Sequence, residues 1–149
     1  MSEVWRKSHN KSILIYHYVC PAKYHRVVFS KEVDEVLKEV CFEIEKRYEI
    51  KFIEIGTDKD QVHFLIQSVP TYSAKKIIQT VKNITARQVF IQCPEVKEKL
   101  WGGEFWTDGY YVSTVGQRGN EETIRKYIQE QGQEKEYERL YYEEQLKLF

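Results

Sequence analysis

The sequence predicts an α+β fold: an antiparallel sheet with helices on one face and a further helix near the C-terminal end. Three observations predict it. Strand-like and helix-like stretches follow in the order strand, helix, strand, strand, helix, strand, helix. Two of the strands are joined by the short turn TDKD, which makes them antiparallel neighbours. The two long helical stretches each carry one apolar face, so each has one surface to bury against a sheet.

Residues 12–20, SILIYHYVC, are rich in β-branched and aromatic side chains and read as the first strand. PAKYHRVVF continues it after a turn or bulge at Pro21. Ser30 then suits the N-cap of a helix in which Val33, Val36, Leu37, Val40, Cys41, Ile44 and Tyr48 recur at helical spacing. IKFIEIGT (50–57) alternates apolar and polar as a strand does, and QVHFLIQSV follows the turn to complete a hairpin. Pro70 and Ser73 open a second helix, with Ala74, Ile77, Ile78, Val81, Ile84 and Val89 on its inner face, running to about Gln92 before Pro94.

PEVKEKLWGGEFW reads as a loop with a short helical piece, broken at Gly102–Gly103. GYYVSTV (109–115) makes a fourth strand, with one of Tyr110 and Tyr111 facing the core. GQRGN is a turn, and EETIRKYIQEQ is a third long helix that Gly132 ends. The charged tail, 133–149, is expected to be helical and weakly anchored, with Tyr141 and Tyr142 in tail packing or at the surface. The first six elements have the split βαβ order of a ferredoxin-like sheet. That arrangement hosts many activities, so function has to come from the site.

A chain of 149 residues is expected to form one domain with a single core. No apolar run reaches membrane-spanning length, and MSEVWRKSHNKS is too polar for a signal peptide. Cys20, Cys41 and Cys93 are odd in number and far apart, which suits free thiols in a reducing cytoplasm. Net charge is zero, but its distribution is uneven. Residues 1–29 hold five bases (Arg6, Lys7, Lys11, Lys23, Arg26) against Glu3, and residues 71–93 hold Lys75, Lys76, Lys82 and Arg87 without an acid. If those segments share a face, a neutral protein presents a phosphate-binding surface. The plainer alternative is solvated helix faces that differ in sign.

Alternation along QVHFLI puts Gln61, His63 and Leu65 on one face and Val62, Phe64 and Ile66 on the other. With helices over the second face, His63 and Gln61 lie on the open one. Imidazole is a ready ligand for a divalent metal, and glutamine offers a neutral amide oxygen. A lone histidine on a polar sheet face is ordinarily no more than a hydrogen-bonding residue. Tyr127 and Gln131 stack one turn apart on the third long helix, with Ile124 and Ile128 on its apolar side. A tyrosine nucleophile needs a cation nearby to offset developing charge. Set against this, a chain with eleven tyrosines places most of them for packing.

Four segments, YHYVCPAKYHRVVF, DKDQVHFLIQSVP, EFWTDGYYVSTVG and IRKYIQEQG, resemble in order and spacing the IS200-like TnpA transposases, the small single-tyrosine HUH enzymes of insertion sequences. The resemblance spans about residues 10–132 and implies one HUH transposase domain with 133–149 as its tail. It implies cleavage and rejoining of single-stranded DNA near hairpins at element ends, through a 5′-phosphotyrosine and with Mg2+ or Mn2+. It makes Tyr127 the catalytic nucleophile and His63, Gln61 and Gln131 the metal ligands. It further implies a homodimer in which the tyrosine helix serves the partner's site, with GQRGN as the joint. Gln61 stands where the family has its first histidine, so the alternative is a catalytically silent, transposase-derived hairpin-binding protein. For DNA contact the sequence offers Lys23, Tyr24 and Arg26 in the turn after the first strand, and Lys75, Lys76, Lys82 and Arg87 on the second helix.

Overall fold

Why each segment folds as it does is legible in its ends and its faces. The computed structural model describes residues 14–100, 103–115, 121–132 and 136–143. Its strands are β1 (Leu14–Pro21), β2 (Ile50–Asp58), β3 (Gln61–Ser68), β4 (Tyr111–Thr114) and β5 (Glu138–Tyr142). Its helices are α1 (Lys31–Arg47), α2 (Ala74–Gln92), the short α3 (Pro94–Lys99) and α4 (Glu121–Gln131). Ser30 caps α1 by accepting from the Val33 N–H, and Ser73 caps α2 by accepting from the Lys76 N–H. Pro94 starts α3, where its missing N–H costs nothing.

The sheet is antiparallel throughout, in the order β4-β1-β3-β2-β5. The first four strands take the order expected of a split βαβ arrangement. Tyr18, Phe52, Ile55, Val62, Phe64 and Ile66 pack beneath the inner faces of α1 and α2, where Val33, Leu37, Cys41, Ile77, Ile78 and Val81 are buried. Each large side chain removed from water there contributes about 1.5–3 kcal/mol, so this face carries most of the folding free energy. All three cysteines are buried and free. Among the described residues, no helix is long and apolar enough to cross a membrane.

The structure departs from the sequence reading in three places. β2 does not alternate cleanly: a register shift between Phe52 and Glu54 inserts Ile53 as a bulge. Phe52 and Ile55 consequently face α1 and α2, while Ile53 packs on the opposite side. The segment after Pro21 is not a continued strand. It forms one 3₁₀ turn, Lys23–His25, and then runs without regular structure to Ser30.

The third departure is a correction. The tail expected to be helical contains β5, which pairs with β2 from Glu54↔Tyr142 to Thr57↔Glu138. β2 would otherwise expose an unpaired edge, and β5 satisfies its backbone groups. Tyr141 joins the main core and Tyr142 packs on the opposite face. The turn expected at 116–120, the Gly102 part of the expected break, and residues 1–13 and 144–149 lie outside the described residues.

Candidate active site

Directly opposed residues on paired strands point to the same side of a sheet. Val19 lies opposite His63, and His17 opposite Leu65. Gly56 and Glu54 of β2 lie opposite the same two β3 residues. His17, His63, Glu54 and Leu65 therefore share the face that α1 and α2 do not cover. Leu65, Ile15, Ile53 and Val115 form a small apolar patch on this face, and Ile124 and Ile128 of α4 dock on it. An eleven-residue helix is marginal alone, so this docking is what holds α4 in place.

Docking through Ile124 and Ile128 turns Tyr127 and Gln131 onto the two histidines. The Tyr127 hydroxyl lies 2.5 Å from His17 Nδ1. On the other side of the same ring, His17 Nε2 lies 3.2 Å from His63 Nδ1 and 3.2 Å from Gln131 Nε2. The two imidazoles stack with centroids 5.4 Å apart and planes 17° from parallel. The Tyr127 ring meets His17 edge-on, and Tyr137 meets His63 edge-on from the segment before β5. His17, His63 and Gln131 are 8 %, 6 % and 8 % exposed, so the polar atoms of this cluster are largely withdrawn from water.

Burial, and secondarily the His63 ring, lower the His17 pKa to about 4, which keeps the imidazole neutral near pH 7. A neutral imidazole has one N–H and one lone pair. The Gln131 side-chain oxygen is buried and finds no hydrogen-bond partner among the described residues. Such an atom ordinarily costs about 1–3 kcal/mol unless something else satisfies it. Two imidazoles and a neutral carbonyl oxygen, brought together out of water, fit the donor chemistry of a divalent cation.

Two supports brace the cluster. Gly56 is needed because a Cβ there would fall 2.0 Å from the Tyr137 hydroxyl oxygen, so no side chain fits beneath that ring. Glu54, 1 % exposed, accepts from Arg139 Nε at 2.7 Å, and Arg139 Nη2 donates to the Ile128 carbonyl at 2.8 Å. One guanidinium thus ties the last turn of α4 to β2. Burial raises the Glu54 pKa, and Tyr137 and Arg139 oppose that shift.

The sequence-derived site residues are distributed unevenly. His63, Tyr127 and Gln131 meet around His17. Gln61 shares their face but is half-buried at the hairpin end of β3, and its amide donates to Asp58 Oδ2 at 3.4 Å. Lys23 pairs with Glu104 at 2.8 Å and lies over the Tyr24 ring. Tyr24 and His25 both adopt the left-handed region, with φ of 57° and 51°, which is uncommon for bulky residues. The turn is held by the Ala22 N–H on the Asp60 carbonyl, the Lys23 N–H on the Phe105 carbonyl, and the hydrogen bond between His25 Nδ1 and Asp60 Oδ2. It presents Tyr24 and Arg26 to solvent beside the β2–β3 hairpin.

Lys75, Lys76 and Arg87 are exposed on α2, so the sheet stands between them and the histidines. Lys82 has a structural partner set: its ammonium donates to the carbonyls of Thr107, Asp108 and Gly109 and lies over the Tyr110 ring. It fixes the loop entering β4. Tyr110 packs against the main core, while Tyr111 is exposed on β4 with its ring edge toward His17.

Sequence reasoning missed His17, Glu54, Tyr137 and Arg139. Alternation in LIYHYVC places Ile15, His17 and Val19 on one face, but only the β1–β3 register says which face that is. Glu54 and Arg139 are 85 positions apart, and nothing local links them.

The fold and cluster together define a class: an α+β protein with a helix-borne tyrosine seated against paired imidazoles. A family model described as "Transposase IS200 like" matches residues 10–131. The chain therefore belongs to the IS200-like transposase family, which supports a transposase function with DNA cleavage and transfer. It is 32% identical over 118 residues to the ISDra2 transposase TnpA of Deinococcus radiodurans, covering 79% of this chain and 84% of that protein. It is 30% identical over 123 residues to the transposase for insertion sequence element IS200 of Salmonella typhimurium, covering 80% and 77%. A crystal structure of a candidate transposase from Deinococcus radiodurans R1 superposes with a TM-score of 0.65 at 28% identity, covering 83% of this chain and 95% of that one.

Proposed function

We propose that the chain cleaves and rejoins single-stranded DNA at the ends of an insertion sequence, with Tyr127 as nucleophile and Mg2+ or Mn2+ as cofactor. The observation that carries this reading is the Tyr127 hydroxyl against the His17 ring, one helical turn from Gln131 and beside His63. The phenolic oxygen attacks a backbone phosphorus and the P–O3′ bond breaks. The tyrosine proton ends on the departing 3′-oxygen, leaving a free 3′-OH and a 5′-phosphotyrosine. A 3′-OH from another strand reverses the step. Neither water nor ATP is consumed, because one phosphodiester replaces another.

His17 orients the phenolic oxygen through Nδ1. His63 and Gln131 would hold the cation, with Gln61 as the further ligand that the family resemblance implies. When bound, the cation would polarise the phosphoryl group and offset developing charge. Hairpins at element ends are the expected substrate and a homodimer the expected assembly. The exposed Tyr24 and Arg26, with Lys23 behind them, are the nearer DNA contacts. Tyr24 is placed to stack on an unpaired base, worth about 1–3 kcal/mol. Lys75, Lys76 and Arg87 would serve only DNA that passes round to the helical face, and Lys82 would contact DNA only by releasing its loop.

Incubation with a hairpin-bearing single strand and Mn2+ is expected to give a covalent protein–DNA adduct that Tyr127→Phe abolishes. An adduct that survives Tyr127→Phe defeats this reading. The bond from Gln61 to Asp58 favours a second one, a silent hairpin-binding protein disabled at residue 61. It predicts hairpin binding without an adduct and recovery of cleavage in Gln61→His.

A further inference from the structure

We propose that His17, not Gln61, supplies the second imidazole of the metal site, so that the cation is held by His17, His63 and the side-chain oxygen of Gln131. This rests on the metal-dependent reading above and deepens it. It changes the meaning of Gln61: a site that lost its family histidine on β3 is completed by a histidine from β1.

Three observations carry the inference. First, His17 Nε2 is the point on which the cluster converges, 3.2 Å from both His63 Nδ1 and the Gln131 amide. Two donors adjacent in the shell of an octahedral ion, each about 2.1 Å from it, are about 3.0 Å apart. Both contacts to His17 Nε2 thus have the spacing of adjacent ligands on one ion. Second, His17 has the outer bond that metal-ligating histidines show. Such a ring presents one nitrogen to the metal and donates its other N–H to an oxygen, which fixes the tautomer. The oxygen here is the Tyr127 hydroxyl at His17 Nδ1, leaving the Nε2 lone pair for coordination. Third, the Gln131 oxygen is buried with no partner among the described residues, and rotating the amide by half a turn exchanges it with the nitrogen now 3.2 Å from His17 Nε2. Gln61 has none of these features. It sits at the strand end, half-buried, with its amide engaged by Asp58.

The arrangement puts one ring between the metal and the nucleophile. Position and charge at Tyr127 then depend on the same side chain that binds the ion.

The test is Mn2+ binding to the whole chain, followed by the electron paramagnetic resonance of free and bound ion, with pulsed measurement of the imidazole nitrogens coupled to it. The wild-type protein is expected to show two imidazoles on bound Mn2+. His17→Asn is expected to show one and to raise the Kd tenfold or more, whereas Gln61→Ala keeps two and stays within twofold. One imidazole in the wild type, or an unchanged Kd in His17→Asn, overturns the proposal while leaving the metal-dependent reading intact. The wild-type nitrogen count stands even if His17→Asn misfolds. A wild-type protein that binds no Mn2+ and forms its adduct in EDTA overturns both.

Discussion

The two faces of the sheet are built on different terms. The face under α1 and α2 is apolar and close-packed, with Phe52, Phe64 and Ile66 fully buried among helix side chains. The other has an apolar patch large enough to dock one short helix, and beside it polar groups that are also buried: His17, His63, Gln131 and Glu54. Phe64 and His63 are neighbours in sequence and belong to the two different faces. Burying polar groups costs free energy unless each finds a partner. The helix-covered face supplies the stability that lets the other hold imidazoles, a carboxylate and an unpartnered amide oxygen out of water. The proposed chemistry sits on the face that contributes least to folding.

That contrast is open to direct test. The largest expected effect is on the apolar side. Phe64→Ala should cost about 3–5 kcal/mol and lower the melting temperature by roughly 10 °C or more, as measured by denaturant and thermal unfolding. His63→Ala, one residue away, should cost far less stability and instead weaken Mn2+ binding. Similar stability losses for the two would remove the distinction between the faces.

The next effect is at the brace. Arg139→Ala leaves the Glu54 carboxylate buried without its cation and frees the Ile128 carbonyl. About 1–3 kcal/mol should be lost, short of the full cost of breaking a buried pair because Arg139 is partly exposed. Hydrogen exchange in α4 should quicken more than in α1 or α2. Equal quickening everywhere would mean that Arg139 does not act on the tyrosine helix.

A comparable effect lies at Asp34, in the first turn of α1, where one buried carboxyl oxygen has no hydrogen-bond partner among the described residues. Burial, with Glu138 and Glu35 adding to it, raises its pKa to about 7. A carboxyl raised in the folded state contributes stability that is fully present below about pH 4 and lost as pH rises through 7. Asp34→Asn should therefore gain stability that grows from pH 4 to pH 8, reaching about 1–3 kcal/mol. A gain that does not vary with pH would assign the effect to something other than ionisation. The smallest effect is at a helix end: Ser73→Ala should cost about 1 kcal/mol in unfolding experiments, through the lost cap on α2. No measurable loss would show that packing of α2 alone fixes its start.

Local rules account for much of what was read from the sequence. The serine caps, the apolar stripes of α1 and α2, the hairpin at residues 58–61 and the pairing of Tyr127 with Gln131 on one helix face all follow from interactions within a few residues. β5 is not legible locally, because ERLYY fits more than one pattern. Its residues become a strand only because β2 offers an unpaired edge and Glu54 needs Arg139. The bulge at Ile53 is likewise invisible locally, since an extra residue in a strand costs little until its neighbours have a register.

The sequence by itself determined the helices α1, α2 and α4 and the strands β1 to β4, the apolar faces of α1 and α2, and that a tyrosine and a glutamine share one turn of a helix. Only the tertiary structure decided that His17 stands beside His63 and under Tyr127. The physical reason is register. A strand's side chains alternate whatever it pairs with, but which residue meets which across the ladder depends on the partner. Here Val19 opposite His63 brings His17, 46 positions away in sequence, to within hydrogen-bonding distance.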